Sequence, residues 1–300
     1  MFNFTFKYIF NYILEEAYKY CESVARSHYE NFPVASFFIP KNKRKYIYNI
    51  YAFARLADDI ADSDSLSPVE KTIKLDKLDK ELKDCFENVY NNENNDQLNI
   101  FKALHNTAFE LNINADEFSN LLKAFKQDAV KQRYDKFEEL IEYSNYSANP
   151  IGHLVLNTFG YHSENDEELF RLSDNICTGL QLINFWQDVG RDLEINRIYI
   201  PFKEMQKFNY SEELLLKKIE NDDFINLIKS LVEMTKEIFN KGKGIEKKLT
   251  GRLKLELKAI YNGGNEIIKK IEKINYKVLS GRVEIKKSDK MKLVLKTIIT

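Results

Sequence analysis

Apolar residues recur at intervals of three and four along most of the chain, the spacing of helices that each press one face on a core. Residues 8–28 read as a first helix, stopped near Asn31-Phe32-Pro33. A short loop to Pro40 leads into a second helix through Ile47, Ile50, Tyr51, Ala54 and Ala57, ending near Ser63. Ser67-Pro68-Val69-Glu70 offers a capping serine followed by proline at the first helical position. The polar run at 91–95 reads as a solvated loop. Further helices are expected over 114–131, over 136–161 with a kink at Pro150, over 164–193, 211–220 and 222–249, and over 253–277, the last broken at Gly263-Gly264. Residues 164–193 are strongly apolar and predict a central, mostly buried helix.

Composition sharpens this picture. A length of 300 residues suggests two domains at ~150 residues each. Against that, no repeat of fixed period and no low-complexity linker divides the chain. Only 10 Gly and 5 Pro punctuate it, too few for the turns of an all-β sandwich or propeller. With 44% hydrophobic residues, 21 Phe and 17 Tyr among them, a large core can be buried. The expectation is therefore one all-α domain over residues 1–300.

Formal charge is −1, which excludes nucleic acid as a default partner. Cys21, Cys85 and Cys177 stand far apart, in no metal or disulfide spacing, and fit a reducing cytoplasm. No segment reads as transmembrane. Residues 1–14 and the basic, apolar stretch 286–300, with Lys287, Lys290, Lys292 and Lys296, are candidates for peripheral contact with the inner membrane. A solvated helix face docked on the core is the alternative for both.

Two segments place acids in apolar company. In Tyr51-Ala-Phe-Ala-Arg55-Leu-Ala-Asp58-Asp59-Ile-Ala-Asp62, positions 51, 55, 58 and 62 share one helix face, among small and apolar neighbours. In Gln181-Leu-Ile-Asn184-Phe-Trp-Gln-Asp188-Val-Gly-Arg-Asp192, positions 181, 184, 188 and 192 form a second stripe beside the one tryptophan, Trp186. Carboxylates buried in such surroundings need a cation or a protonation shift. Stripes of this kind can face each other across a bundle interior and hold metal. Oxygen ligands without nearby His or Cys select a hard cation, Mg²⁺ above others, and Mg²⁺ held so implies a phosphorylated substrate. Walls of Phe, Tyr, Leu and Ile imply that the rest of that substrate is greasy, as in an isoprenoid diphosphate. A single DxxxD also arises by chance on exposed helices, and a two-carboxylate glycosidase is a further reading.

Taken together, Asp58-xxx-Asp62 behind Tyr51 and Arg55, Asn184-xxx-Asp188-xxx-Asp192, and Arg197-Ile-Tyr199-Ile-Pro201 resemble the squalene/phytoene synthase family. The resemblance implies a class I isoprenoid synthase helical bundle with a central cavity. It implies that Asp58, Asp62, Asn184, Asp188 and Asp192 coordinate Mg²⁺, and that Arg55, Arg197 and Tyr199 bind the diphosphate. Tyr51, Tyr143 and Gln181 would line the reacting centre, and His28 and Phe32 would belong to the entry loop. Ala57-Asp-Asp-Ile-Ala-Asp62, Ser147-Ala-Asn-Pro-Ile-Gly152 and Asn184-Phe-Trp-Gln-Asp188 are most similar to the bacterial hopanoid-pathway branch. There the implied reaction is Mg²⁺-dependent ionisation of presqualene diphosphate and capture of the cation by water, coupled to other enzymes of squalene synthesis. Head-to-head condensation of two farnesyl diphosphates is the alternative, and a non-catalytic assembly protein a second. Three positions depart from the family pattern: Asn31 where many relatives have Ser, Gln187 where many have Arg, and His153 where close relatives have Arg. The lost cation beside the diphosphate weighs against the two-farnesyl condensation.

Overall fold

Twelve α-helices account for the chain among the described residues, which in this computed structural model are 2–27, 38–87, 95–286, 289, 293 and 297. In order they are α1 (Phe2–Ser27), α2 (Lys41–Ala61), α3 (Pro68–Phe86), α4 (Asn95–Leu111), α5 (Asp116–Val130), α6 (Phe137–Ser147), α7 (Asn149–Thr158), α8 (Ser163–Asp192), α9 (Phe202–Lys207), α10 (Glu212–Leu216), α11 (Asp222–Lys241) and α12 (Gly251–Lys273). No strand occurs among the described residues; one isolated parallel bridge joins Arg133 and Ile198. The contacts group the chain into two compact units, Met1–Ala129 with His153–Asn165, and Val130–Gly152 with Asp166–Thr300.

In the first unit, α3 starts as the sequence predicts. Ser67 accepts from the Glu70 amide while Glu70 accepts from the Ser67 amide, a complete capping box. Ala17, Cys21 and Ala25 form a buried stripe of small residues on α1. Phe53 of α2 meets Phe118 of α5 and Phe101 of α4 edge-on, at ring distances of 5.4 and 6.2 Å. Asn49, fully buried on α2, donates from its amide nitrogen to the Thr107 hydroxyl of α4 at 2.8 Å, while its Oδ1 accepts no hydrogen bond. Helix α4 is absent from the sequence reading, because its apolar face is short and follows the asparagine-rich run.

The second unit is built around α8. Leu182, Ile183, Phe185, Trp186 and Val189 are buried. The Trp186 indole N–H donates to Thr235 of α11 at 2.8 Å. Phe239 of α11 is clasped between two glycines. A methyl at Gly179 would lie 2.5 Å from its ring, and one at Gly264 would lie 2.7 Å from it. That corrects the expectation of a break at Gly263-Gly264: α12 runs straight through, and Gly264 is there because the phenyl ring occupies the space of a side chain. The kink expected at Pro150 falls where α6 passes into α7: Ala148, the one residue between them, keeps a helical backbone, and its carbonyl accepts from the Gly152 amide at 3.3 Å. The expected helix at 222–249 ends at Lys241 and is followed by a 3-10 turn, Ile245–Lys247, and α10 is shorter than expected.

Gly179→Ala pits two effects against each other. Alanine gains about 1 kcal/mol of helix propensity over glycine, whereas overpacking a filled core costs about 1–3 kcal/mol. With ring carbons at 2.5 Å, overpacking wins. The variant should unfold at lower urea than the wild type, and an unchanged or raised midpoint would show that Phe239 can move aside.

Candidate active site

The first acidic stripe sits at the C-terminal end of α2. Asp58 lies in the last turn and Asp62 is the C-cap residue, its amide donating to the Asp58 carbonyl at 2.8 Å. No basic residue occupies this last turn, although the helix macrodipole is negative there and disfavours acids. The stripe is more open than the sequence suggests. The Asp58 side chain is 35% exposed and Asp62 is exposed, because the helix ends here and the chain turns into a surface loop. Arg55, one turn back, reaches Asp58 at 2.9 Å and Asp59 at 2.5 Å. Burial works against its charge, but the two carboxylates outweigh that and push the guanidinium pKa up. Tyr51, a further turn back, is half-buried on the same face.

The second stripe ends α8 in the same way. Gln181, Asn184, Asp188 and Asp192 are half-buried, while Leu182, Ile183, Phe185, Trp186, Gln187 and Val189 between them are buried and Arg191 is exposed. The helix therefore shows one narrow polar seam. Burial pushes the Asp188 carboxyl above its ordinary pKa, and the charges of Arg282 and Arg191 offset only part of the effect.

Beyond α8, the chain turns through Asn196, whose backbone is left-handed (φ 59°), into an extended segment that carries Arg197 and Tyr199. This segment is fixed from outside. The Ile198 amide donates to the Gln132 carbonyl at 3.0 Å and the Phe202 amide to the Tyr134 carbonyl at 2.9 Å. Arg133 grips Asn196 through its backbone carbonyl at 2.6 Å and its side-chain oxygen at 2.8 Å, and is itself paired with Glu212 at 2.8 Å. The result is an aromatic stack. Tyr199 lies on Phe185 at 3.9 Å and on Tyr134 at 5.5 Å, with Tyr143 at 6.4 Å.

Tyr143 and Tyr199 are thus brought together, as are Gln181, Asn184, Asp188 and Asp192 on one seam, and Tyr51, Arg55, Asp58 and Asp62 on another. His28 and Phe32, with Asn31, lie outside the described residues. The sequence reading missed Arg133, Tyr134, Phe185 and Arg282. Phe185 looks like ordinary core, and the other three act across 63 to 94 residues of chain, a distance that no local pattern encodes. His153 does not stand as a free cation: its Nδ1 is 2.7 Å from Glu117. A cavity of about 550 Å³ lined by Phe86, His105, Asn106, Phe109 and Ile113 contains none of the predicted residues.

The donor set is one for a hard cation: carboxylates and an amide oxygen, without His or Cys. Among the described residues, no three His, Cys, Asp or Glu side chains form a metal cage by themselves. Mg²⁺ suits such partial sites, because it keeps waters and takes substrate phosphate oxygens to complete its shell. The excess of negative charge at both helix ends fits the same ion.

The sequence profile of squalene/phytoene synthase matches residues 25–289. The chain belongs to the squalene/phytoene synthase family. It is 33% identical to the hydroxysqualene synthase of Sinorhizobium fredii over 241 residues, covering 80% of this chain and 78% of that protein. Identity to the Rhodopseudomonas palustris hydroxysqualene synthase is 30% over 259 residues, 86% of this chain and 84% of that one. The crystal structure of squalene synthase HpnC from Alicyclobacillus acidocaldarius aligns with a TM-score of 0.80 at 33% identity, over 88% of this chain and 95% of that one. The all-α isoprenoid synthase fold, a prenyl-synthase type of function and an isoprenoid diphosphate as substrate follow from this membership.

Arg133 is expected to hold the Arg197–Tyr199 segment in place. A charge-assisted hydrogen bond is worth about 1.5–3 kcal/mol when buried, and less here because Arg133 is part-exposed. Arg133→Ala should leave the helical circular dichroism unchanged and speed amide exchange at Ile198 about tenfold. Unchanged exchange would show that the backbone bonds hold the segment alone.

Proposed function

We propose that this protein converts presqualene diphosphate to hydroxysqualene. The C–O bond to diphosphate breaks with its electron pair leaving on diphosphate. Water then forms the new C–O bond and loses a proton. The observation that carries this reading is the polar seam of α8 on the same helix that supplies Phe185 to the Phe185–Tyr199 stack. Similarity over most of the chain to two proteins named hydroxysqualene synthase supports it.

Asp58 and Asp62 in the first unit, and Asn184, Asp188 and Asp192 in the second, are the residues that would hold Mg²⁺. Mg²⁺, when bound, supplies charge neutralisation for the departing diphosphate. Arg55 and Arg197 bind the diphosphate and stabilise the charge developing on it. Tyr199 covers it, while Tyr51, Tyr143 and Gln181 line the reacting centre. The faces of Tyr134, Tyr143, Phe185 and Tyr199 present negative π-density, which favours a carbocation. Gln187 places a neutral, buried amide where many relatives carry Arg, which favours a substrate with one diphosphate over a pair of them. We read residues 1–300 as one catalytic domain in the cytoplasm. Residues 1–14 and 286–300 are its contacts with the inner membrane and bring it to its partner enzymes of squalene synthesis. No helix among the described residues is long and apolar enough to cross a membrane.

Purified protein with Mg²⁺ and no NADPH, offered presqualene diphosphate and farnesyl diphosphate separately, should make hydroxysqualene from the first and leave the second intact, as read by mass spectrometry. Consumption of farnesyl diphosphate would instead make it a head-to-head synthase, and inertness to both would favour an assembly role. Asp58→Asn and Asp188→Asn should each lower kcat/KM about 10²–10³-fold, the loss typical of one transition-state charge contact. Retained activity in either would remove that residue from the site. Deleting 1–14 or 286–300 should abolish liposome co-sedimentation, and undiminished binding by both truncated forms would overturn the membrane assignment.

A further inference from the structure

After α12 the chain doubles back along the C-terminal end of α8 as an extended strap. Its apolar side chains Val278, Leu279, Val283 and Ile285 are buried. Five contacts fasten it. The Leu279 amide donates to Glu220 at 2.8 Å. The Leu279 carbonyl packs so tightly on Gly190 that a methyl there would lie 2.6 Å from it. The Gln187 side-chain amide donates to the Val283 carbonyl. Arg191 stands 3.9 Å from Glu284. The fifth contact touches the seam itself: Arg282 lies against Asp188, Nε 2.8 Å from Oδ1 and Nη2 3.0 Å from Oδ2. Both groups are largely buried, with side-chain exposures of 17% and 21%.

This geometry raises a conflict that bears on the proposed Mg²⁺ site, and the inference rests on that reading. Asp188 Oδ2 accepts a hydrogen bond from Arg282 Nη2, and Oδ1 stands in ion-pair contact with Nε without an aligned hydrogen bond. A hard cation binds a carboxylate oxygen at about 2.0–2.1 Å. With Arg282 unmoved, the ion would sit within a few ångströms of a guanidinium in a largely buried place, and the two cations repel. Arg282 nevertheless cannot go far. Gln187, buried in the body of α8, keeps the next residue of the strap in place.

We propose that Arg282 is a tethered internal cation that occupies Asp188 when no metal is bound, and that a divalent ion binds the α8 seam by exchange with it. Arg282 and Gln187 are thereby positioning residues that act through Asp188. Arg282 sets how tightly the seam takes the ion, and Gln187 keeps the displaced guanidinium beside it. The buried amide at position 187 thus has a task of its own, anchoring the strap that delivers the cation.

The test titrates the full-length protein with Mn²⁺ and no substrate, reading free Mn²⁺ by electron paramagnetic resonance. Arg282→Gln should bind the seam ion about tenfold more tightly than the wild type, since Asp188 no longer has to be vacated. Arg191→Gln removes an equal charge nearby without touching Asp188, and should change affinity less than threefold. Equal gains in the two variants would reduce the effect to the general field, and no gain in Arg282→Gln would overturn the proposal. Arg282→Lys keeps the charge but loses the Nη2 hydrogen bond to Oδ2, and should fall between wild type and Arg282→Gln. If Arg282→Gln does not fold, an unchanged affinity in Arg282→Lys overturns the proposal by itself. Asp188→Asn separates the two levels of the argument. If it leaves Mn²⁺ binding intact, the metal assignment fails and not merely the role of Arg282.

Discussion

Carboxylates at the negative ends of two helices are the constraint that the residues around them answer. Asp58, Asp59 and Asp62 close α2, and Asp188 and Asp192 close α8. Each charge so placed opposes the macrodipole by about 0.3–1 kcal/mol, and partial burial adds a desolvation penalty. A chain selected only for stability would put Lys or Arg there. The arginines nearby answer this deficit of positive charge: Arg55 reaches both Asp58 and Asp59, Arg282 pairs with Asp188, and Arg191 sits beside the second seam. The Asp188 carboxyl stays above its ordinary pKa despite its arginines, so the compensation is incomplete. The site is an electrostatic demand which the protein alone leaves partly unmet.

Much of this was readable in the sequence because the information is local. Both stripes obey helical spacing, so identity and position along the chain fixed which residues share a face. The Ser67 capping box is likewise a four-residue device. What escaped was contact across long separations. Arg133 reaching Asn196, Tyr134 joining Tyr199, and Arg282 reaching Asp188 leave no periodic trace. Gly263-Gly264 misled for a related reason. Glycine in a helix reads as a breaker from propensity alone, but the deciding fact is Phe239 of another helix standing where a side chain would be. The burial of the first stripe was overestimated because apolar neighbours say which side of a helix faces inward, not where along it the cover ends.

The aromatic stack is assembled from unlike pieces. Phe185 comes from α8, Tyr143 from α6, Tyr134 from a loop and Tyr199 from the extended segment after α8. The single parallel bridge between Arg133 and Ile198 ties the last two together in a chain that otherwise has no sheet among its described residues. A few backbone bonds thus do locally what a strand pair would do at greater length, setting the height of Tyr199 over Phe185.

The clasp of Phe239 reaches further than its own packing. Gly179 meets the ring nine residues before Asp188, ~2.5 turns back along the same rod. A helix can slide and roll against its neighbours, and its roll is the coordinate that decides where a seam points. A turn of one residue, ~100°, would swing Asp188 away and present Gln187 in its stead. By admitting the phenyl ring at one azimuth only, Gly179 acts as a keyway, and the aim of the acidic seam is set from further back along the helix that carries it.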